Sequence, residues 1–90
     1  MPTRFVLFYE AVADVAEKAP LHIEAHSARL REFHDRGELL MVGPWTDGEP
    51  GAMAVFRTRE SADEFVADDP FLTGGVVASW RIRQWDETFT

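Results

Sequence analysis

Any chemistry in this chain turns on His26. At about 100° per residue, Ile23, His26, Leu30, Phe33 and Gly37 fall within one helical arc of about 80°, while Glu24, Arg31, Glu32 and Asp35 point elsewhere. A titratable ring on an apolar stripe faces the interior. There it either closes a single hydrogen bond as part of the core or works as an acid and base. The second role needs a carboxylate or carbonyl to fix the tautomer and an opening that admits a substrate.

Two aspartates compete to be that carboxylate. Asp69 stands where a helix ends and Pro70 redirects the chain, a position expected to come within reach of the first helix, and it reads equally as a turn residue bonding backbone amides before a proline. Asp35, nine residues after His26, lies about 180° round the same helix and faces solvent, so it is the second choice. His22 and His26 have the i, i+4 spacing that can bind one metal. However, His22-Ile23-Glu24-Ala25-His26 lacks the metalloprotease order and no third ligand is evident, so no metal is expected. His22 reads as a solvated residue of the first turn, and His34 as a cation favoured by the helix C-terminus. Gly43-Pro44 interrupts a strand where a ligand could approach the backbone, and Trp45, Phe71 and Trp80 are candidate cavity walls. Phosphate-cradling loops, nucleophile elbows and dinucleotide fingerprints are missing, so activity would run on histidine and carboxylate without a cofactor.

The elements that must position these residues are legible. Arg4–Tyr9 is a strand apolar on both faces, with Phe5, Leu7 and Tyr9 on one side and Val6 and Phe8 on the other. Residues 10–20 read as an acidic connector with room for a short helical turn, with Pro20 opening a helix over 21–36 that Gly37 stops. A second strand runs from Glu38 towards Gly43-Pro44-Trp45, and the turn residues of 46–51, with an Asp-Gly step, connect it to a third over 52–57. Thr58 or Ser61 caps a second helix ending near Asp68, Ser61 with Glu64 as a capping box. Gly74-Gly75 turns into a last strand over 76–85. There Val76, Ala78, Trp80 and Ile82 alternate with Val77, Ser79, Arg81, Arg83 and Trp85.

The order β-α-β-β-α-β predicts an α+β, ferredoxin-like split βαβ fold, a four-stranded antiparallel sheet with two helices on one face. The 90 residues read as one domain, 1–90, which buries only roughly 60–65% of its unfolded surface. Yet 46% of the chain is hydrophobic, with three Trp and seven Phe, and no cysteine offers a disulfide. A homodimer through the open sheet face would cover the excess apolar surface. The net charge of −7 argues against a nucleic-acid partner. With no membrane-length apolar run and no signal-peptide pattern, the expectation is a cytoplasmic protein.

The run Ala25-His26-Ser27-Ala28-Arg29-Leu30, then Gly37-Glu38-Leu39-Leu40, Gly43-Pro44, Ser61-Ala62, Asp69-Pro70-Phe71 with Gly75, and the closing Ile82–Trp85 resembles the YCII-related family across nearly the whole chain. The resemblance implies a dimeric α/β-barrel protein similar to muconolactone isomerases, with a site on a histidine and an aspartate. His26 matches the family histidine and Asp69 the aspartate of its Asp-Pro-aromatic motif, while Asp35 falls at a recurrent acidic position. A few relatives are dehydrochlorinases or other cofactor-free enzymes acting on ring-hydroxylated aromatics. Ile23 and Glu24 stand where relatives often carry a basic residue. The expected function is a cofactor-free lyase or isomerase using His26 and Asp69 on a small aromatic or enolisable ligand in a pocket of Gly43, Pro44, Phe71 and Trp45. The alternatives are a non-catalytic dimeric module for binding a small molecule or a partner, and a histidine that merely ties the helix to the sheet.

Overall fold

The computed structural model describes residues 2–90, so Met1 lies outside the described residues. The elements are β1 (Thr3–Ala11), α1 (Val15–Asp35), β2 (Leu39–Pro44), β3 (Gly51–Phe56), α2 (Arg59–Ala67), α3 (Pro70–Thr73) and β4 (Val77–Asp86). All strand pairs are antiparallel, in the order β2-β3-β1-β4. This is the ferredoxin-like α+β arrangement, with the expected β-α-β-β-α-β order and one further helical turn, α3, before β4.

β1 lies in the middle of the sheet because both of its side-chain sets are apolar. Leu7 and Tyr9 pair with Ala54 and Ala52 of β3 and join Phe33, Phe56, Phe65 and Val66 in the core beneath the helices. Phe33 meets Phe65 edge to face, with centroids 5.3 Å apart and planes at 86°, the geometry that aromatic quadrupoles favour. On the other face, Val6 and Val55 form a floor beneath exposed Met41, Trp85 and Phe89.

Four local expectations need correction. First, α1 begins at Val15, so residues 15–20 are helix and Pro20 lies inside it. The run Val-Ala-Glu-Lys-Ala has good helix formers. The bond lost to the missing proline N–H falls on the carbonyl of Ala16, which is exposed and can be solvated. Second, Thr58 is the N-cap of α2, accepting from the Ser61 N–H at 3.1 Å, so Ser61 is not a cap. Its hydroxyl donates back to the Thr58 carbonyl at 2.9 Å, and Glu64 reaches Arg36 at 3.1 Å instead of closing a capping box.

Third, the chain after Asp69 forms a single helical turn, α3, where only a break is expected. Proline at the first helical position and aspartate at the cap are what such a start needs. Fourth, a bulge skips Ala78, pairing Glu10 with Ser79 and Ala11 with Val77. An extra residue reverses the alternation, so Val77 joins the core side with Ile82. The left-handed φ of 78° at Gly37, just past the end of α1, and of 68° at Gly48 in the hairpin fit their expected turn roles.

Candidate active site

Asp69 is placed by its own backbone role. As N-cap of α3 it accepts the Phe71 N–H on Oδ1 at 3.2 Å. That anchors a carboxylate with no exposed surface. The same Oδ1 lies 2.7 Å from His26 Nδ1, and Oδ2 accepts the Tyr9 hydroxyl at 2.6 Å. Because an ionised carboxylate only accepts, Nδ1 is assigned as the donor nitrogen. β1, α1 and α3 thus each send one donor to a single buried group. Both readings of Asp69 hold together, since the turn that caps α3 also carries the partner of His26.

Nδ1 is committed, which leaves Nε2. It bonds to no protein group among the described residues, and no buried side-chain nitrogen or oxygen there lacks a partner, so Nε2 is open to solvent. The otherwise buried ring is clamped by Phe71, stacked with centroids 3.6 Å apart and planes 4° from parallel, and by the edge of Phe65 at 6.3 Å. His26 is one wall of a 280 Å³ cavity bounded also by Tyr9, Ser27, Leu30, Gly43, Pro44, Ala54 and Phe71, with half-exposed Ile23 at its rim. A side chain at Gly43 would meet nothing within 4 Å, so that backbone faces open space.

Burial, followed by the hydrogen bond and negative charge of Asp69, holds the Tyr9 hydroxyl well above the usual phenol range, with Arg29 pulling weakly the other way. Tyr9 is therefore a standing donor at neutral pH. Arg29 is itself occupied, donating to the carbonyls of Phe65 and Glu64 at 3.2 and 2.7 Å.

The structure brings His26, Asp69, Phe71, Gly43 and Pro44 together. It does not bring Asp35, which is exposed at the far end of α1. Trp45 and Trp80 also stand away from this cavity and line a separate groove with Phe8, Glu10 and Arg81. Trp45 is drawn aside by the bond from its N–H to the Gly51 carbonyl that closes the hairpin. His22 packs its ring against Gly74 and is not a wall of the cavity. No cluster of three metal-ligating side chains occurs among the described residues. Sequence reasoning missed Tyr9 as a site residue. The signal was there, since a lone tyrosine on the helix-facing side of a central strand needs a partner for its hydroxyl.

The element order and sheet define a ferredoxin-like α+β fold. The chain belongs to the YCII-related family, whose domain model matches residues 3–86. It is 30% identical over 96 residues to the protein YciI of Escherichia coli and of Shigella flexneri, covering 94% of this chain and 98% of theirs. Among solved structures it is similar to TftG, the 5-chloro-2-hydroxyhydroquinone dehydrochlorinase of Burkholderia phenoliruptrix, in complex with 2,5-dihydroxybenzoquinone. The TM-score is 0.77 at 17% identity, over 92% of this chain and 93% of that one. It is also similar to SnoaB, a cofactor-independent oxygenase of Streptomyces nogalater, with a TM-score of 0.50 at 16% identity, over 98% and 94% of the two chains. At these identities the two structures speak for the fold.

Proposed function

We propose that the protein is a cofactor-independent lyase or isomerase in which His26 moves a proton on a small, flat, hydroxylated or enolisable substrate. The observation that carries this reading is the 2.7 Å bond from His26 Nδ1 to buried Asp69, with Nε2 left without a protein partner on a ring that lines the cavity. Nε2 takes a proton from a substrate O–H or activated C–H. Asp69 balances the imidazolium charge, and Nε2 returns the proton elsewhere on the substrate or to solvent. In a lyase the electron pair left behind forms the new double bond as a leaving group departs with its own pair. A 280 Å³ space sits at the lower end of small-molecule sites, enough for a single ring. The dehydrochlorination that names TftG, on a chlorinated hydroxyhydroquinone, is chemistry of this kind on the same fold.

General acid–base catalysis contributes about 10²- to 10⁴-fold, so the substrate must be activated. The test is deuterium exchange at the ring C–H positions of trihydroxybenzenes, in wild type and His26→Gln. Exchange by the variant should fall by that factor while binding, followed by NMR, persists. Equal exchange by both proteins would sink the acid–base reading and favour a module that only binds in the same cavity.

The open sheet face supports a second copy as the protein's partner. Met41, Trp85 and Phe89 are exposed around a 410 Å³ apolar groove on that face, more than a lone soluble subunit is expected to leave bare. A cytoplasmic location belongs to the same reading. No helix among the described residues is long and apolar enough to cross a membrane.

A further inference from the structure

We infer that Tyr9 is a positioning residue that fixes the tautomer of His26 through Asp69. The inference rests on the acid–base reading only in the use made of Nε2, because that reading needs a nitrogen with a free lone pair at the cavity.

Asp69 is wholly buried, and among the described residues its hydrogen bonds come from three donors: the Phe71 N–H and His26 Nδ1 on Oδ1, and the Tyr9 hydroxyl on Oδ2. Among those residues Oδ2 therefore depends on Tyr9 alone. With that donor in place the carboxylate is satisfied as an anion, the proton stays on Nδ1, and Nε2 is bare. Without it, an anionic oxygen would sit in a dry site with no partner, which strongly favours the protonated acid. Asp69 would then take the Nδ1 proton and donate back to Nδ1, while Nε2 binds one proton from solvent. The pair gains one proton in total, and the lone pair facing the cavity is lost.

Neighbouring groups offer no substitute. Arg29 on α1 is held by the carbonyls of Glu64 and Phe65, and α2 faces the imidazole with the edge of Phe65. On α3 the group against the imidazole is the Phe71 ring, and the other titratable side chain that α1 turns towards α3, His22, lies on Gly74.

The experiment is ¹⁵N NMR of histidine-labelled protein at neutral pH, wild type against Tyr9→Phe, with circular dichroism as the check on folding. Wild type should show a protonated Nδ1 and an unprotonated, pyridine-type Nε2. The variant should show the reverse. A folded Tyr9→Phe that keeps the proton on Nδ1 and Nε2 bare overturns the inference.

Tyr9 is the only tyrosine in the chain, so biosynthetic replacement of tyrosine by 3,5-difluorotyrosine alters this hydroxyl alone and needs no loss of packing. The more acidic phenol is a stronger donor that draws charge from Asp69. The His26 tautomer should then be kept, with its Nδ1 proton resonance moved upfield. An Nδ1 resonance that does not move refutes the coupling, whether or not Tyr9→Phe folds. Neither readout involves turnover, so a failure of the catalytic reading shows separately, in the exchange assay of His26→Gln.

Discussion

The two faces of the sheet solve opposite problems. Beneath the helices, Leu7, Phe33, Phe56 and Phe65 close a dry core, and the polar groups admitted to it are paired: Tyr9, His26 and Asp69 satisfy one another, and only Nε2 is left over. On the outer face, Val6 and Val55 are buried, but Met41, Trp85 and Phe89 above them stand exposed. Arg81 lies over the Phe8 ring at 5.1 Å, a cation–π contact that partly dresses this surface. One chain thus completes the hydrogen bonding of its own buried His26–Asp69–Tyr9 set, whereas its outer surface leaves large apolar side chains bare.

Truncating Phe65 should break the inner face most severely. It is only 1% exposed, touches Phe33 and Phe56 and meets His26 edge to face. Phe65→Ala should cost about 3–5 kcal/mol in urea unfolding. A loss below about 1 kcal/mol would mean that the core collapses around the gap and does not hold the imidazole.

High pH should erode the same face by a smaller amount. In the unfolded chain Tyr9 ionises near pH 10, whereas burial and Asp69 keep it protonated to higher pH in the folded one. Its contribution is therefore complete below pH 10 and falls as the pH rises beyond it, by at most about 1.4 kcal/mol per pH unit. The decline should be absent in Tyr9→Phe. Parallel alkaline curves for the two proteins would show that Tyr9 is not held in this way.

Charge on the outer face should leave the fold nearly untouched. With the proposed dimer formed through this face, Met41→Glu or Trp85→Glu should lower the mass in sedimentation equilibrium to that of the monomer, with almost the same far-ultraviolet circular dichroism. An unchanged mass would place the contact elsewhere.

Much of this was legible in the sequence, for identifiable reasons. The fold could be read because periodicity and turn residues agree: the Ile23-His26-Leu30-Phe33 stripe, Gly37, and the Asp47-Gly48 turn each carry a local physical signal. The failures came where a distant contact decides. Pro20 is tolerated inside α1 because nearby carbonyls reach water, and Thr58 outcompetes Ser61 for a cap that either could fill. The bulge that turns Val77 inwards is set by pairing with β1, which no residue of β4 announces. His26 and Asp69 were identifiable separately, one by its place on a stripe and one by its place before a proline. That they meet, and that Tyr9 completes the set, depends on how β1, α1 and α3 pack.

The measurement that bears most directly on the acid–base site is the protonation of the His26 ring in the wild-type protein, read by ¹⁵N NMR at neutral pH. The expected result is a slowly exchanging proton on Nδ1, held by Asp69, and an unprotonated Nε2 whose resonance responds to a hydroxylated aromatic placed in the cavity. A proton on Nε2 with Nδ1 bare, or a ring that exchanges freely with solvent, would contradict it.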